Sequence, residues 1–504
     1  MATRTIKAVK GLTTDILQYV VLIILQIFLA PIILRVSGQE VLGAYAIVMQ
    51  VIGYGLVLDF GLGVALNRYL AQSFSIIGND KKFAKVFNAG RYFMLVTNAL
   101  SALLIITFAL NITIFLSGTE SVLSDARIAL FVYSGWTIAR TPLVLYGNGL
   151  RATQNMATAN LIGLFSGASR LFLSIGLVYS GFGLVGLVIA NVASECMSFL
   201  LNKFYFQKLN PSLDLSWRKP DVVLMRELMA FGVTYWGVNV AIVLTVGSDS
   251  LIVGHLYGAA AAAVFYTTKT PSFLLTQLLF KISDNAGPAI NQLVSQGNVE
   301  AVRDAYLKVL RYSMLVAFPL AIGIICFNKS VIGIWLSPDL YAGQLMSLAL
   351  AFYVVTQVIN HINAMITVAI GNMKNWMLIS ISTGVMTVFL GYVFGKLFGL
   401  QWVMVAIAVM DIPMFLFLMY RSFFGIRMSS HRILSEAVLP AVLSSIPLIV
   451  FVGFIFSVNL TQNLSELIVN VSIFCAIFVI SCYRIGLTNS ERLLLRDKLH
   501  ILNF

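Results

Sequence analysis

Charged side chains lie inside long apolar runs of this chain: Asp59, Arg140, Arg170, Glu195, Asp249, Lys269 and Asp411. Ionised groups at membrane depth are costly, rare and usually functional, so these positions are where chemistry is expected. Two of the bases share a tripeptide, Arg140-Thr141-Pro142 and Lys269-Thr270-Pro271. Proline removes an amide donor and frees a carbonyl one turn back, so a cation beside it sits where the backbone is already polar. Each base also lies on an aromatic face at helical spacing, Tyr133 and Trp136 with Arg140, and Tyr266, Phe273 and Gln277 with Lys269. Rings offer stacking area to a sugar and a cation offers charge to a phosphate, so such a face suits a phosphorylated sugar. The same charges also fit a second reading, buried pairs that hold helices in register. Those pairs would be Arg140 or Arg170 with Glu195, and Asp249 with Lys269.

Other polar groups recur one helical turn apart. Gln357, Asn360 and His361 in one run, and Tyr235 and Asn239 in another, are candidate hydroxyl binders or amide bridges between helices. His361 could also carry a proton. Asp59, Asp249, Glu195 and Asp411 are the candidates for an ion that couples to movement of a substrate. Gly181, Gly183 and Gly186 match a dinucleotide fingerprint, but that motif needs a preceding strand, and here it joins two apolar runs as a tight turn. The sequence shows no P-loop, zinc motif or nucleophile elbow, so no cofactor is expected and no enzyme is read.

The elements that position these groups follow from composition. Of 504 residues, 59% are hydrophobic and 11% charged, with a mean hydropathy of +0.91. Soluble domains carry about 25% charged residues, so soluble enzymes, disulfide scaffolds and nucleic-acid modules are excluded. Cys196, Cys326, Cys475 and Cys482 sit in apolar runs and form no disulfide or metal framework. The basic N-terminus precedes too long an apolar stretch for a signal peptide and reads as a spanning helix.

A span of about 20 helical residues crosses the hydrocarbon. At that grain the chain parses into fourteen segments, at 12–34, 42–66, 91–116, 127–149, 158–180, 182–204, 229–253, 262–284, 312–336, 345–370, 376–398, 400–423, 438–458 and 465–483. Lipid offers the backbone no partner, so each must be a helix and the fold class is an all-α polytopic membrane protein. With the N-terminus inside, nearly all loop lysines and arginines fall on the inner side, and the outer side keeps Arg35, Arg127, Lys329 and Lys396. The positive-inside rule therefore predicts both termini cytoplasmic, and the remaining excess of bases suits anionic lipid headgroups.

The longest polar interruption, 203–227, holds Pro211 and Pro220 and divides six segments from eight. Across an offset of about 220 residues Gly38 meets Gly258 and Asn155 meets Asn375, while Gly183 and Glu195 meet Gly399 and Asp411 at a slightly shorter one. This order predicts a duplicated parallel repeat. The expected plan is a lobe over 1–205, a cytoplasmic linker over 206–228, a second lobe over 229–424, and two further spans with a tail over 425–504. The tail from Ser490 to Phe504 could lie as a short helix on the inner surface.

The opening residues carry a resemblance. Pro31, the run Ser37-Gly38-Gln39-Glu40-Val41-Leu42-Gly43-Ala44-Tyr45, then Leu58-Asp59-Phe60-Gly61-Leu62-Gly63 and Arg68, resemble the start of the Wzx-type oligosaccharide flippases. Membership would imply the multidrug/oligosaccharidyl-lipid/polysaccharide exporter fold, two six-helix lobes in a V with two extra helices. It would also imply that a polyprenyl-diphosphate-linked oligosaccharide moves from the inner to the outer leaflet of a bacterial inner membrane by alternating access, for O-antigen, capsule or exopolysaccharide assembly. A polysaccharide polymerase and a chain-length regulator are the partners such a role implies, beside membrane lipids. Related peptidoglycan-precursor flippases place cations on helices 1, 2 and 8; Lys269 and Arg68 match, whereas the first segment has only Arg35 at its outer end. The competing expectations are a cation-coupled multidrug exporter of the same superfamily and a membrane polysaccharide polymerase or ligase. The short outer loops weigh against the latter.

Overall fold

The computed structural model describes residues 2–74, 80–371, 374–458 and 463–493. Among them there is no strand. The helices in chain order are α1 (Ala2–Ser37), α2 (Gln39–Val57), α3 (Leu62–Phe74), α4 (Asp80–Leu110), α5 (Ile112–Phe115), α6 (Glu120–Ala139), α7 (Leu145–Ala152), α8 (Met156–Tyr179), α9 (Gly183–Leu209) and α10 (Val222–Val246). They continue with α11 (Asp249–Tyr257), α12 (Ala259–Ser295), α13 (Val299–Trp335), α14 (Gln344–Ile370), α15 (Lys374–Phe398), α16 (Gln401–Gly425), α17 (Ser430–Ile433), α18 (Leu439–Val458) and α19 (Leu464–Ser481). Eleven helical stretches among the described residues are long and apolar enough to cross a membrane. Expected segments 42–66, 127–149 and 262–284 are not among these eleven. They are helical too, but the first two are divided by turns and the third carries Lys269 and Lys281.

Those turns have local causes. After α2 the Asp59 carboxylate accepts from the amides of Gly61 at 2.8 Å and Gly63 at 3.4 Å, which caps the first turn of α3. Phe60 (φ 53) and Gly61 (φ 69) reverse the chain there. The two proline tripeptides behave differently. α6 ends at Ala139 and a turn over 140–144 carries Pro142, whereas α12 runs through Pro271 without a break. Near Pro271 a neighbouring amide takes up one α12 carbonyl, and two hydroxyls tie the helix to the chain after α13. Thr267 and Thr268 hydroxyls donate to Leu340 O, and Asn328 donates to Thr268 O at 3.2 Å.

The chain divides into two compact units, Met1–Ala263 with Ser380–Val388, and Val264–Ile379 with Phe389–Phe504. In the first, Leu62, Leu66, Phe83, Phe87, Leu145 and Phe206 form a core among α3, α4, α7 and α9. Phe206 stacks on Phe83 and Phe87. The polar interruption is held to this unit. Arg91, 4% exposed, donates to Leu215 O and, at 3.1 Å, to Tyr146 Oη, and lies against the rings of Phe87 and Trp217. Asn88 donates to Ser216 O at 2.9 Å. Within the interruption the Ser216 amide and hydroxyl, with Arg218, hold the exposed Asp214 carboxyl below its ordinary range, and Asp221 caps α10.

In the second unit Tyr306, Leu310, Met314, Val358, Ile362 and Ile366 pack among α13 and α14. Tyr306 Oη donates to Asn363 Oδ1 at 2.8 Å. Arg311 on α13 pairs with Glu491 at 2.6 Å and donates to Gly486 O, which ties down the chain after α19. The surface helix expected over 490–504 is helical at 489–493, and its remainder lies outside the described residues.

The repeat-related glycines adopt matching backbones. Gly38 before α2 has φ 89 and ψ 174, and Gly258 before α12 has φ 85 and ψ 178. Both lie in a region that only glycine enters without strain.

Candidate functional site

In the first unit α6, α8 and α9 bring polar side chains together around one carboxylate. α9 supplies Glu195, and α6 with the residue that caps its end presents Tyr133, Trp136 and Arg140 at the helical spacing that puts them on one face. Glu195 accepts from Trp136 Nε1 at 2.8 Å, from Tyr133 Oη at 3.1 Å and from Asn191 Nδ2 at 3.4 Å, and pairs with Arg140 at 3.5 Å. Arg140 is 6% exposed and lies 6.0 Å from the Tyr133 ring centroid. From α8, Arg170 donates to Asn191 Oδ1 at 3.5 Å. The pairing of Arg140 with Glu195 is thus present, and the aromatic residues beside Arg140 hold the carboxylate with it.

The acids considered for ion coupling lie in four different settings. Asp59 caps α3. Asp249, 2% exposed, accepts from Gln50 Nε2 at 2.5 Å and from the Ser250 amide at 2.7 Å. Asp411 on α16 accepts from Gln357 Nε2 at 2.8 Å and Asn360 Nδ2 at 3.0 Å. Those two amides, considered as hydroxyl binders, therefore bind an acid. Glu195 and Asp411, which the expected repeat would pair, are alike in role, since each accepts from a neighbouring helix of its own unit. They differ in charge partners, arginine for one and amides for the other.

On α12, Lys269 lies 5.6 Å from the Phe273 ring centroid, and Tyr266, Lys269 and Gln277 are half-buried. His361 on α14 meets Asp284 at 2.8 Å and stacks on Phe280 with centroids 4.1 Å apart. Arg68 is exposed on α3, and Asn239 is half-buried on α10. The Tyr235 side chain lies outside the described residues. The sequence reading did not single out Asn191, Asp284, Gln50 or Arg91 as site groups. Asp284 falls at the inner end of its segment and Arg91 at the start of another, so both read as loop charges. Asn191 is one helical turn before Glu195, a spacing that could have found it.

Residues 32–339 match the family model described as "Polysaccharide biosynthesis protein". The chain belongs to this family. The matched span carries the whole Glu195 cluster and all of α12, including Lys269 and Asp284; Gln357, His361 and Asp411 lie beyond it. A curated relative, "Uncharacterized membrane protein EpsK" of Bacillus subtilis strain 168, is 20% identical over 340 residues. The match covers 65% of this chain and 65% of that protein.

Among solved structures, "Lipid II flippase MurJ, inward closed conformation" aligns with a TM-score of 0.69 at 15% identity, over 96% of this chain and 100% of that one. An inward-facing multidrug resistance transporter of the MATE family and MOP superfamily aligns with a TM-score of 0.65 at 18% identity, over 81% of this chain and 96% of that one. A MOP superfamily transporter from Pyrococcus furiosus, described as having a binding pocket of reverse polarity, aligns with a TM-score of 0.60 at 16% identity, over 83% of this chain and 96% of that one. This member of the polysaccharide biosynthesis family is therefore a multi-pass, all-α membrane protein with the fold of that transporter superfamily. The resemblance seen in its opening residues holds.

Proposed function

We propose that this protein is a flippase that carries polyprenyl-diphosphate-linked oligosaccharide units from the cytoplasmic to the outer leaflet of a bacterial inner membrane. The observation that carries this reading is the row Arg140, Glu195, Asn191 and Arg170 in helices of a polysaccharide biosynthesis family member. A membrane span retains such groups when they serve a polar cargo. The cargo's polyprenyl tail stays in lipid, so only the diphosphate and sugars need shelter. With the interior negative, outward movement of an anion is favoured by about 2.3 kcal/mol per charge per 100 mV. Tyr133 and Trp136 supply rings beside the cations, and Lys269 with Phe273 supplies a similar pairing on α12.

In this reading both termini are cytoplasmic, two six-span lobes alternate access, and no catalytic step occurs. A polymerase and a chain-length regulator receive the product. The test is transport in proteoliposomes holding a polyprenyl-diphosphate oligosaccharide, followed by lectin accessibility at the outer face. Protein-dependent exposure of the sugar supports the reading. Equal exposure in protein-free vesicles refutes it, and drug resistance without sugar exposure would favour a multidrug exporter instead.

A further inference from the structure

We propose that Arg170 is the group that touches the phosphate of the transported headgroup, and that Arg140 is a positioning residue that keeps Glu195 neutralised. This rests on the flippase reading above and assigns its site within the first unit.

The argument begins with the carboxylate. Glu195 Oε2 takes the Trp136 indole and the Arg140 guanidinium, and Oε1 takes the Tyr133 hydroxyl and the Asn191 amide. Its charge is thus committed to Arg140, whose own exposure is 6%. Arg170 has no such commitment. Its one hydrogen bond among the described residues is the 3.5 Å contact to Asn191 Oδ1, and it forms no ion pair with a described carboxylate. It is half-buried on α8, three positions into the second half of a 24-residue spanning helix that has more than two turns still to run. Tyr45 of α2 is within its electrostatic reach.

The cluster therefore pairs two guanidinium groups with one carboxylate and keeps a surplus positive charge at membrane depth. An unpaired cation there is costly, and an arriving anion removes that cost. A guanidinium also presents a planar fork that fits phosphate oxygens two at a time. The related acid of the second unit, Asp411, is met by amides from Gln357 and Asn360, so the surplus belongs to the Glu195 cluster. Asn191 bridges the two arginines' neighbourhoods, donating to Glu195 and accepting from Arg170. Loss of Arg140 would leave Glu195 available to Arg170 and so compete with the phosphate.

The experiment measures binding of polyprenyl diphosphate and of neutral polyprenol to the full-length protein in lipid nanodiscs. The expected results are tighter binding of the diphosphate than of polyprenol by wild type, at least tenfold weaker diphosphate binding by Arg170→Gln, and partial recovery in Arg170→Lys. Arg140→Gln should weaken binding as well, and Arg140→Gln with Glu195→Gln should restore it, because the competing carboxylate is gone. Equal amounts of inserted protein and equal melting of Arg170→Lys and wild type exclude a folding cause. Unchanged diphosphate binding in Arg170→Gln overturns the assignment, as does a double variant no better than Arg140→Gln. If wild type itself does not distinguish diphosphate from polyprenol, the flippase reading fails and this assignment with it.

Discussion

Gly61 and Gly232 approach so closely that a β-carbon on Gly61 would stand 2.3 Å from the Gly232 carbonyl oxygen. A β-carbon on Gly232 would in turn stand 2.5 Å from Phe60 O. The turn that ends α2 therefore crosses α10 backbone to backbone, and the Phe60 and Trp236 rings pack alongside with centroids 4.9 Å apart. This gives a physical role to the Leu58-Asp59-Phe60-Gly61 motif: the acid caps α3, and the glycine supplies both a positive φ and the space for α10.

The crossing makes a stability prediction. Gly232→Ala must push two backbones apart and should destabilise the protein by about 1–3 kcal/mol, the usual cost of overpacking. Gly61→Ala adds backbone strain at φ 69 and should cost more than Gly232→Ala. Thermal melting of the purified protein in one detergent checks both, and a Gly61→Ala melting point equal to that of wild type would count against the crossing.

A second prediction concerns the interruption between α9 and α10. Arg91 is buried among Phe87, Tyr146 and Trp217 and donates to Leu215 O. Arg91→Ala removes the cation, its ring contacts and its hydrogen bonds, a loss of about 2–4 kcal/mol. The segment should then open, so trypsin should cut after Arg218 several-fold faster than in wild type. Arg91→Lys should restore little, since an ammonium lacks the planar fork. Timed digestion with mapping of the cut site measures this, and identical cleavage rates in Arg91→Ala and wild type would refute the latch.

A third prediction separates the roles of Asp411. Its carboxylate accepts from the half-buried Gln357 and the buried Asn360, so Asp411→Ala leaves both amides without this acceptor. The expected cost is about 2–3 kcal/mol. Asp411→Asn keeps one acceptor oxygen and the side-chain volume, and should melt close to wild type. If Asp411 only holds helices, Asp411→Asn also transports normally in the proteoliposome assay; transport lost in a variant that melts normally would give the acid a part in ion coupling.

Much of this protein was legible in the chain alone, because a membrane leaves the backbone few choices. Long apolar runs had to become helices, and the repeat pairing of Gly38 with Gly258 could be read from order and spacing. It reappears as a shared glycine conformation ahead of α2 and α12. The Arg140 and Glu195 pair was one of two options that charge balance allowed. Residue types could not decide which partner each polar group would take, since that depends on which helix faces which. Pro142 lies in the turn that follows α6 whereas α12 runs through Pro271, although the two share a tripeptide. Gln357 and Asn360, equally suited by type to a sugar, turn toward Asp411. Arg91 reads as an ordinary loop base until Trp217 and Leu215 close over it. The sequence determined helices, membrane class and family; the tertiary structure decided the pairings, because a buried charge or amide settles on whichever partner packing brings within about 3 Å.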